Sequence, residues 1–296
     1  MYEIVIISGK GGTGKTSVAG CFAALAGNAV LADCDVDAAN LHLILGAKQR
    51  EAYEFSASKK AEIHDALCVR CGACRDVCRF DAVSETSEAG EFKIDPLSCE
   101  GCGVCFYTCP RQAISMKEAV SGRWFISDTP YGIMVHAALR AGEGNSGKLV
   151  TLVKNKAREL AEADGVRYVI TDGPPGVGCP VIASLTGATV ALIVTEPTRS
   201  AIHDMKRVLQ VCRHFGVPAS VCINRCDLSK ENTAEIMRYC HEEGIHVIGE
   251  IPFDRAVVDA MVKGLPAVQY VECEASRRIR NMWEELKTGL AEKSDG

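Results

Sequence analysis

Two groups of residues in this sequence have the types and the spacing to do chemistry. The first is a glycine loop, Gly9-Lys10-Gly11-Gly12-Thr13-Gly14-Lys15-Thr16, which fits the phosphate-binding pattern G-x-x-x-x-G-K-[ST]. Glycines let backbone N–H groups turn inward around phosphate oxygens, and the start of a following helix adds positive potential. Lys15 is placed to reach the terminal phosphates of a nucleotide, and the Thr16 hydroxyl to ligate Mg²⁺. The second group carries thiols. Of 16 cysteines, half lie in two runs: Cys68, Cys71, Cys74 and Cys78, then Cys99, Cys102, Cys105 and Cys109, displaced by 31 residues. The tails repeat as well, Phe80-Asp81-Ala82-Val83 against Arg111-Gln112-Ala113-Ile114. A fixed displacement marks two copies of one structural unit. The N-terminus has no basic, apolar leader, so a cytoplasmic, reducing setting is expected, in which clustered thiols bind metal or metal clusters rather than pair as disulfides.

The doubled spacing C-x2-C-x2-C-x3-C resembles that of bacterial ferredoxins, which hold two [4Fe–4S] clusters. On that likeness, three close cysteines take three irons of one cube and the fourth, out of reach, ligates the other. The expected sets are Cys68, Cys71, Cys74 and Cys109 for one cluster, and Cys99, Cys102, Cys105 and Cys78 for the other. Gly72 and Gly103 would let backbone amides approach the cluster sulfurs. Cys109-Pro110 follows the ferredoxin pattern, whereas Arg79 after Cys78 departs from it and loses a rigid turn but no ligand. Two tetrahedral zinc cages are the competing use of eight thiolates, and the third cysteine of each run suits iron–sulfur better. Cys21, Cys212, Cys222 and Cys240 read as small buried hydrophobes.

Lys10 adds a second lysine to the glycine loop. In this position it resembles the deviant Walker A loop of the MinD/ParA/Mrp ATPases and the nitrogenase iron protein. There the early lysine crosses a dimer interface to the partner's nucleotide, so the resemblance implies an ATP-dependent sandwich dimer, either a homodimer or a heterodimer with a paralogue. It implies catalytic roles for Lys10, Lys15 and Asp35. Asp35, in Asp33-Cys34-Asp35-Val36-Asp37, would orient the attacking water and help hold Mg²⁺, ahead of Asp33 and Asp37. Val169-Ile170-Thr171-Asp172-Gly173-Pro174-Pro175-Gly176 resembles Walker B and switch II, with Asp172 in the Mg²⁺ shell and the Gly176 N–H sensing the γ-phosphate. Asn224 and Arg225 at one strand end, and Pro252 and Asp254 at another, are expected around the adenine. Cys179 stands at a place comparable to that where the nitrogenase iron protein carries a ligand of its subunit-bridging cluster, but no second cysteine stands in an obvious partner position, so a bridging cluster competes here with an ordinary free cysteine.

These residues need a frame that holds them. Short apolar runs, Ile4–Ile7, Ala29–Ala32, Tyr168–Thr171, Thr189–Thr195, Ser220–Ile223 and Val247–Ile251, alternate with helical stretches. That alternation predicts an α/β fold, a doubly wound, mostly parallel sheet. The frame is a P-loop NTPase domain in two segments, 1–59 and 119–296, interrupted at 60–118 by a small α+β insertion of bacterial-ferredoxin type. Helices are expected at Thr16–Ala26, Lys148–Ala163, Ser200–Phe215, Glu231–Glu243, Ala256–Lys263 and Ala275–Leu290. A net charge of −5 argues against a nucleic-acid partner held by phosphate contacts. No apolar run approaches membrane-spanning length. The C-terminal stripe Ile279, Met282, Trp283, Leu286 and Leu290 reads as packing on the sheet rather than a stable membrane anchor.

Taken whole, the chain closely resembles MinD-superfamily ATPases with an inserted ferredoxin domain, of the Mrp/NBP-like branch often labelled cobyrinic acid a,c-diamide synthase-like. The resemblance implies MgATP hydrolysis, slow and partner-stimulated, coupled to electron transfer through two [4Fe–4S] clusters to a redox or iron–sulfur partner protein. Cluster assembly or delivery of Mrp type competes with it, though the C-terminal C-x-x-C of such carriers is missing. A positioning ATPase like MinD or ParA is a further alternative. A cobyrinic-type amide ligase would call for a glutamine-hydrolysing domain for which the chain has no room.

Overall fold

The computed structural model describes residues 1–86, 90–140 and 142–292. They form two compact units. The first takes in Met1–Tyr53, Trp124–Ala138 and the chain from Ser146 onward; the second takes in Glu54–Arg123 and Leu139–Asn145.

The strands, in chain order, are β1 (Tyr2–Ser8), β2 (Val30–Asp33), β3 (Lys48–Ile63), β4 (Val83–Thr86), β5 (Glu91–Ile94), β6 (Ile114–Thr129), β7 (Gly132–Leu139), β8 (Tyr168–Pro175), β9 (Val190–Thr195), β10 (Ala219–Asn224) and β11 (His246–Ile251). The first unit is built on a sheet of order β11-β10-β9-β1-β8-β2-β7-β6-β3, to which β3 and β6 contribute their residues on the β7 side of the boundary. From β11 to β7 every neighbouring pair is parallel. A central parallel strand must be apolar on both faces, and β1 is. Ile4 and Ile6 enter one core layer with Phe22, Leu31 and Trp283. Val5 and Ile7 enter the opposite layer with Leu185, Ile193 and Met205. Each such side chain, fully buried, contributes roughly 1.5–3 kcal/mol.

The register decides where the chemistry falls. Ile6 lies beside Asp172, and Asp172 beside Asp33, so β1, β8 and β2 bring the glycine loop and two aspartates to one edge of the sheet. Glu196 and Pro252 follow the ends of β9 and β11, and Asn224 ends β10, on that same side. In open parallel sheets this carboxyl edge is where ligands bind.

The helices Lys15–Ala26, Ser146–Ala163, Arg199–His214, Lys230–Glu242, Arg255–Val262 and Glu274–Glu292 lie within two residues of their expected spans. Three are capped at their starts by side-chain oxygens, of Thr198, Ser229 and Asp254. The C-terminal stripe is buried, with Trp283 against Phe22 and Tyr168 at ring separations of 5.1 and 5.3 Å. That face is sheet packing. No helix among the described residues is long and apolar enough to cross a membrane. The sequence reading has no counterpart for β3, β6 and β7. Of the 16 residues of β3 only Phe55 and Ala61 are buried, so its polar face and its core face carry too little contrast to mark a strand.

The second unit shows the duplication in its backbone. Positive φ occurs at Arg70 and Gly101, at Gly72 and Gly103, and at Asp81 and Gln112, each pair 31 residues apart. Gly72 and Gly103 each open a short helix, Ala73–Asp76 and Val104–Thr108, in a left-handed conformation that other residues seldom adopt. The halves are tied reciprocally: His64 N–H donates to Ala113 O at 2.7 Å, and Asp95 N–H to Ala82 O at 2.8 Å. β4 and β5 pair antiparallel, Val83 opposite Ile94. The core is small: Ala61, Cys74, Ala82, Val83, Phe92, Cys99 and Ile114.

Candidate functional site

In the second unit the thiols line two recesses. Cys68, Cys71, Cys74 and Cys109 surround one. Cys99, Cys102, Cys105 and Cys78 surround another. Each gathers three thiols of one run and the last thiol of the other, as the repeat dictates. The rest of each lining is largely apolar, Ile63, Phe92 and Ile114 in the first, Ala61, Phe80 and Ile94 in the second. Among the described residues no three His, Cys, Asp or Glu side chains converge closely enough to hold a single metal ion. A four-iron cube is ligated at its corners, one iron per thiolate, so its ligands stand around a recess rather than around a point. The donor set and its layout fit the cube. Burial lifts the thiols of Cys74 and Cys105 above the ordinary thiol range, and a cationic metal core is the compensation a buried thiolate requires.

The glycine loop joins β1 to the helix Lys15–Ala26 in the first unit. Gly14 has φ 94°, and a Cβ there would stand 2.4 Å from Asn224 Nδ2. Glycine is therefore demanded twice, by conformation and by the close approach of Asn224, whose amide donates to Thr13 O at 2.8 Å. Lys15 is buried and donates to Asp35 Oδ2 at 2.6 Å, with Asp172 Oδ1 at 3.8 Å. Burial alone would lower its pKa, but the carboxylates of Asp172, Asp35 and Asp33 more than offset this and raise it. The three aspartates after β2 separate by geometry. Asp33 spends both oxygens on backbone N–H groups, of Asp35 and Leu41 at 3.1 Å each, and Asp37 is exposed. Asp35 is the one that meets the loop lysine.

Asp172 is fully buried, and neither of its carboxylate oxygens has a hydrogen-bond partner. Burial pushes its pKa up to about 6 against the pull of Lys15, and burial beside Asp172 raises that of Asp33 well above the carboxylate range. A pair of orphaned carboxylate oxygens beside Asp35 and the buried Thr16 is a donor set of the hard oxygen kind that suits Mg²⁺, which needs only a few protein oxygens. Gly176 has φ 94° and its N–H donates to Ser8 O at 2.9 Å, so in this state it is engaged by β1.

The two expected adenine segments are differently used. Asn224 is tied to the glycine loop, and Arg225 reaches Glu196 at 3.0 Å. Asp254 caps the helix Arg255–Val262 by accepting from Ala256 N–H at 2.9 Å, and Pro252 precedes the exposed Phe253. Lys10 lies against its own chain, 2.7 Å from Glu196 Oε1 and within 3.4 Å of Thr198 and Ser200 hydroxyls. Glu196 was not legible beforehand. It is a single acidic residue after a strand, and only the fold brings it to a lysine 186 positions away. Cys179 is exposed at the start of the helix Cys179–Leu185, beside Gly147.

The model of the CobQ/CobB/MinD/ParA nucleotide-binding domain matches residues 4–267. An uncharacterized protein of Methanocaldococcus jannaschii, MJ0578, is 35% identical over 97% of both chains. An iron-sulfur cluster carrier protein of Pyrococcus horikoshii is 25% identical, over the whole of this chain and 89% of its own length. Among solved structures, the septum site-determining protein MinD of Pyrococcus horikoshii, complexed with Mg-ADP, matches with a TM-score of 0.59 at 19% identity, over 96% of this chain and 95% of the other. That likeness is one of fold.

Proposed function

The chain belongs to the CobQ/CobB/MinD/ParA nucleotide-binding family, and from that premise we propose an iron–sulfur ATPase that couples MgATP binding and hydrolysis, in a nucleotide-sandwich dimer, to electron transfer through two [4Fe–4S] clusters. It is a P-loop ATPase of the MinD/ParA type. Such hydrolysis needs little covalent chemistry from the protein and much positioning and charge neutralisation. Gly9 to Gly14 cradle the phosphates, Lys15 turns from Asp35 to the terminal phosphates, and Asp35 is thereby released to orient water. Thr16, Asp35 and Asp172 hold Mg²⁺, which neutralises phosphate charge. Lys10 leaves Glu196 for the nucleotide of the partner, a second copy or a paralogue. Asn224, Arg225, Pro252 and Asp254 flank the base. The eight cysteines of the two runs hold the clusters, which supply one-electron chemistry to a partner protein.

The reading is carried by one observation: three thiols of each run close a recess with the last thiol of the other, in a chain that also carries a phosphate-binding loop. Anaerobic purification with iron analysis, followed by EPR of the reduced protein with and without MgATP, tests it. A nucleotide-dependent signal or potential is expected. Iron-bearing protein whose spectra ignore MgATP would leave two unlinked activities, and zinc in place of iron would end the reading. Cluster delivery is the second reading, supported by the similarity to iron-sulfur cluster carrier proteins. Recesses closed from both halves of a repeat argue against it, because ligands wrapped around a cluster release it poorly. ATP-accelerated transfer to an apo-ferredoxin would favour delivery. A lipid-anchored positioning role loses its surface, since the C-terminal stripe is in the core.

A further inference from the structure

The two recesses have the same number of thiols and the same mix of thiol exposure. Each has one exposed thiol, one buried thiol and two between. They differ where the two copies of the repeat diverge. The first recess is lined by a single charged residue, Arg111, and the second by a single charged residue, Glu100. The counterpart of Arg111, 31 residues earlier, is Phe80, which lines the second recess; the counterpart of Glu100 is Val69, which lines the first. Among the described residues neither Arg111 nor Glu100 is in an ion pair.

The neighbouring cations, Arg75 by the first recess and Lys60 by the second, each have a carboxylate partner, so Arg111 and Glu100 remain the distinguishing charges of the two linings. Arg75 lies over Phe92 of the first recess, 5.2 Å from the ring centre, although Glu85 at 2.9 Å offsets part of its charge. Its counterpart in the second copy is Phe106. Lys60 donates to Cys99 O at 2.7 Å beside the second recess, and Glu143 at 3.3 Å offsets it. A second kind of observation agrees. Ala113 N–H donates to Cys109 Sγ at 3.3 Å, a ligand of the first recess. The equivalent atom of the second, Cys78 Sγ, accepts no such bond among the described residues.

Adding an electron to an iron–sulfur cube adds negative charge to it and its thiolates, with no proton required. A nearby cation and an N–H···S bond both favour the more negative state, and a nearby carboxylate opposes it. Resting on the two-cluster reading, we propose that the clusters are unequal in reduction potential. The one held by Cys68, Cys71, Cys74 and Cys109 is the higher, so the first electron from a one-electron donor rests beside Arg111. Arg111 and Glu100 are the residues that set the order, and electrons run from the Glu100 recess to the Arg111 recess.

The test uses the full chain, loaded anaerobically and titrated with dithionite under EPR. About eight irons per chain and two one-electron waves are expected, separated by at least tenfold in equilibrium constant, about 59 mV for a one-electron couple. Arg111→Met should lower the upper wave at least threefold and leave the lower one in place, while Arg111→Lys keeps the separation. Glu100→Gln should raise the lower wave. Both residues are exposed, so the fold is not at risk. A single wave in the unaltered protein overturns the proposal, as does an Arg111→Met protein with the original separation or a shifted lower wave. With about eight irons present, either failure leaves the two-cluster reading standing. An iron-free protein removes both.

Discussion

Around the glycine loop the charged groups other than Asp172 already have partners. Lys15 is on Asp35, Lys10 and Arg225 share Glu196, and Asn224 holds Thr13. In the cysteine unit eight thiols face two recesses, and the buried core around them has seven members, two of them cysteines. The first site is a polar network on a thick two-layer core in which, Asp172 apart, a ligand must compete with partners in place. The second is a ring of donors on a core too small to stand alone, since domains of this size are normally stapled by metal or disulfide. On the proposed reading, nucleotide would act on the first unit by exchanging contacts, whereas iron would act on the second by making it a folded body.

The largest test of that contrast is Lys15→Ala. ATP affinity should fall by at least about a hundredfold, as loss of a buried charge-assisted contact does, while iron content is unchanged. Titration with a fluorescent ATP analogue beside iron analysis measures both, and a fall in iron would erase the contrast. Next in size is iron removal. Chelation should strip hydrogen-exchange protection from 54–123 while protection of β1, β8, β9 and β10 stays, and ATP affinity should change less than about twofold, as for separate cooperative units. Replacing Cys99, Cys102 and Cys105 together should cost half of the iron and spare nucleotide binding. Loss of both in either experiment would show one cooperative body. Lys10→Ala comes third, with the monomer folded and ATP-dependent dimerisation, read by light scattering, absent. A Lys10→Ala chain that still dimerises would mean that the hold of Glu196 on Lys10 is merely a surface ion pair.

A last effect belongs to protons and should fall on the stability of the first unit alone. His136 is buried against Phe125 and His42 and hydrogen-bonded to Ser127 Oγ at 2.9 Å. Burial, then His42, holds its pKa down at about 4. The native imidazole stays neutral while the unfolded one gains a proton below about 6.5. This contribution is whole above that value and drains as pH falls toward about 4, by roughly 3 kcal/mol at the end of the window. His136→Gln should flatten the thermal-stability slope there without altering iron content.

What could be read in advance was local. The glycine loop, the cysteine runs and the apolar strands of the parallel core each announce themselves within some ten residues, because turn chemistry, ligand spacing and double-sided burial act at that range. The strand β3 did not, since most of its side chains face water and carry no alternation. Glu196 did not, since its meaning lies in Lys10 and Arg225, brought to it by three different strand ends. The charges at Arg111 and Glu100 were visible as letters, but which recess each would line depended on how the halves cross. Asp35 could be ranked above Asp33 and Asp37 by resemblance, and the geometry adds a reason: Asp33 is consumed by backbone amides.

The strand order also sets a timetable for synthesis. β1 is among the first residues to leave the ribosome, yet its neighbours β8 and β9 are made only after residue 167. The cysteine unit is complete once Asn145 has been translated. A nascent chain can thus finish the unit that carries its eight clustered cysteines while the opening strand of its nucleotide-binding unit still waits for companions.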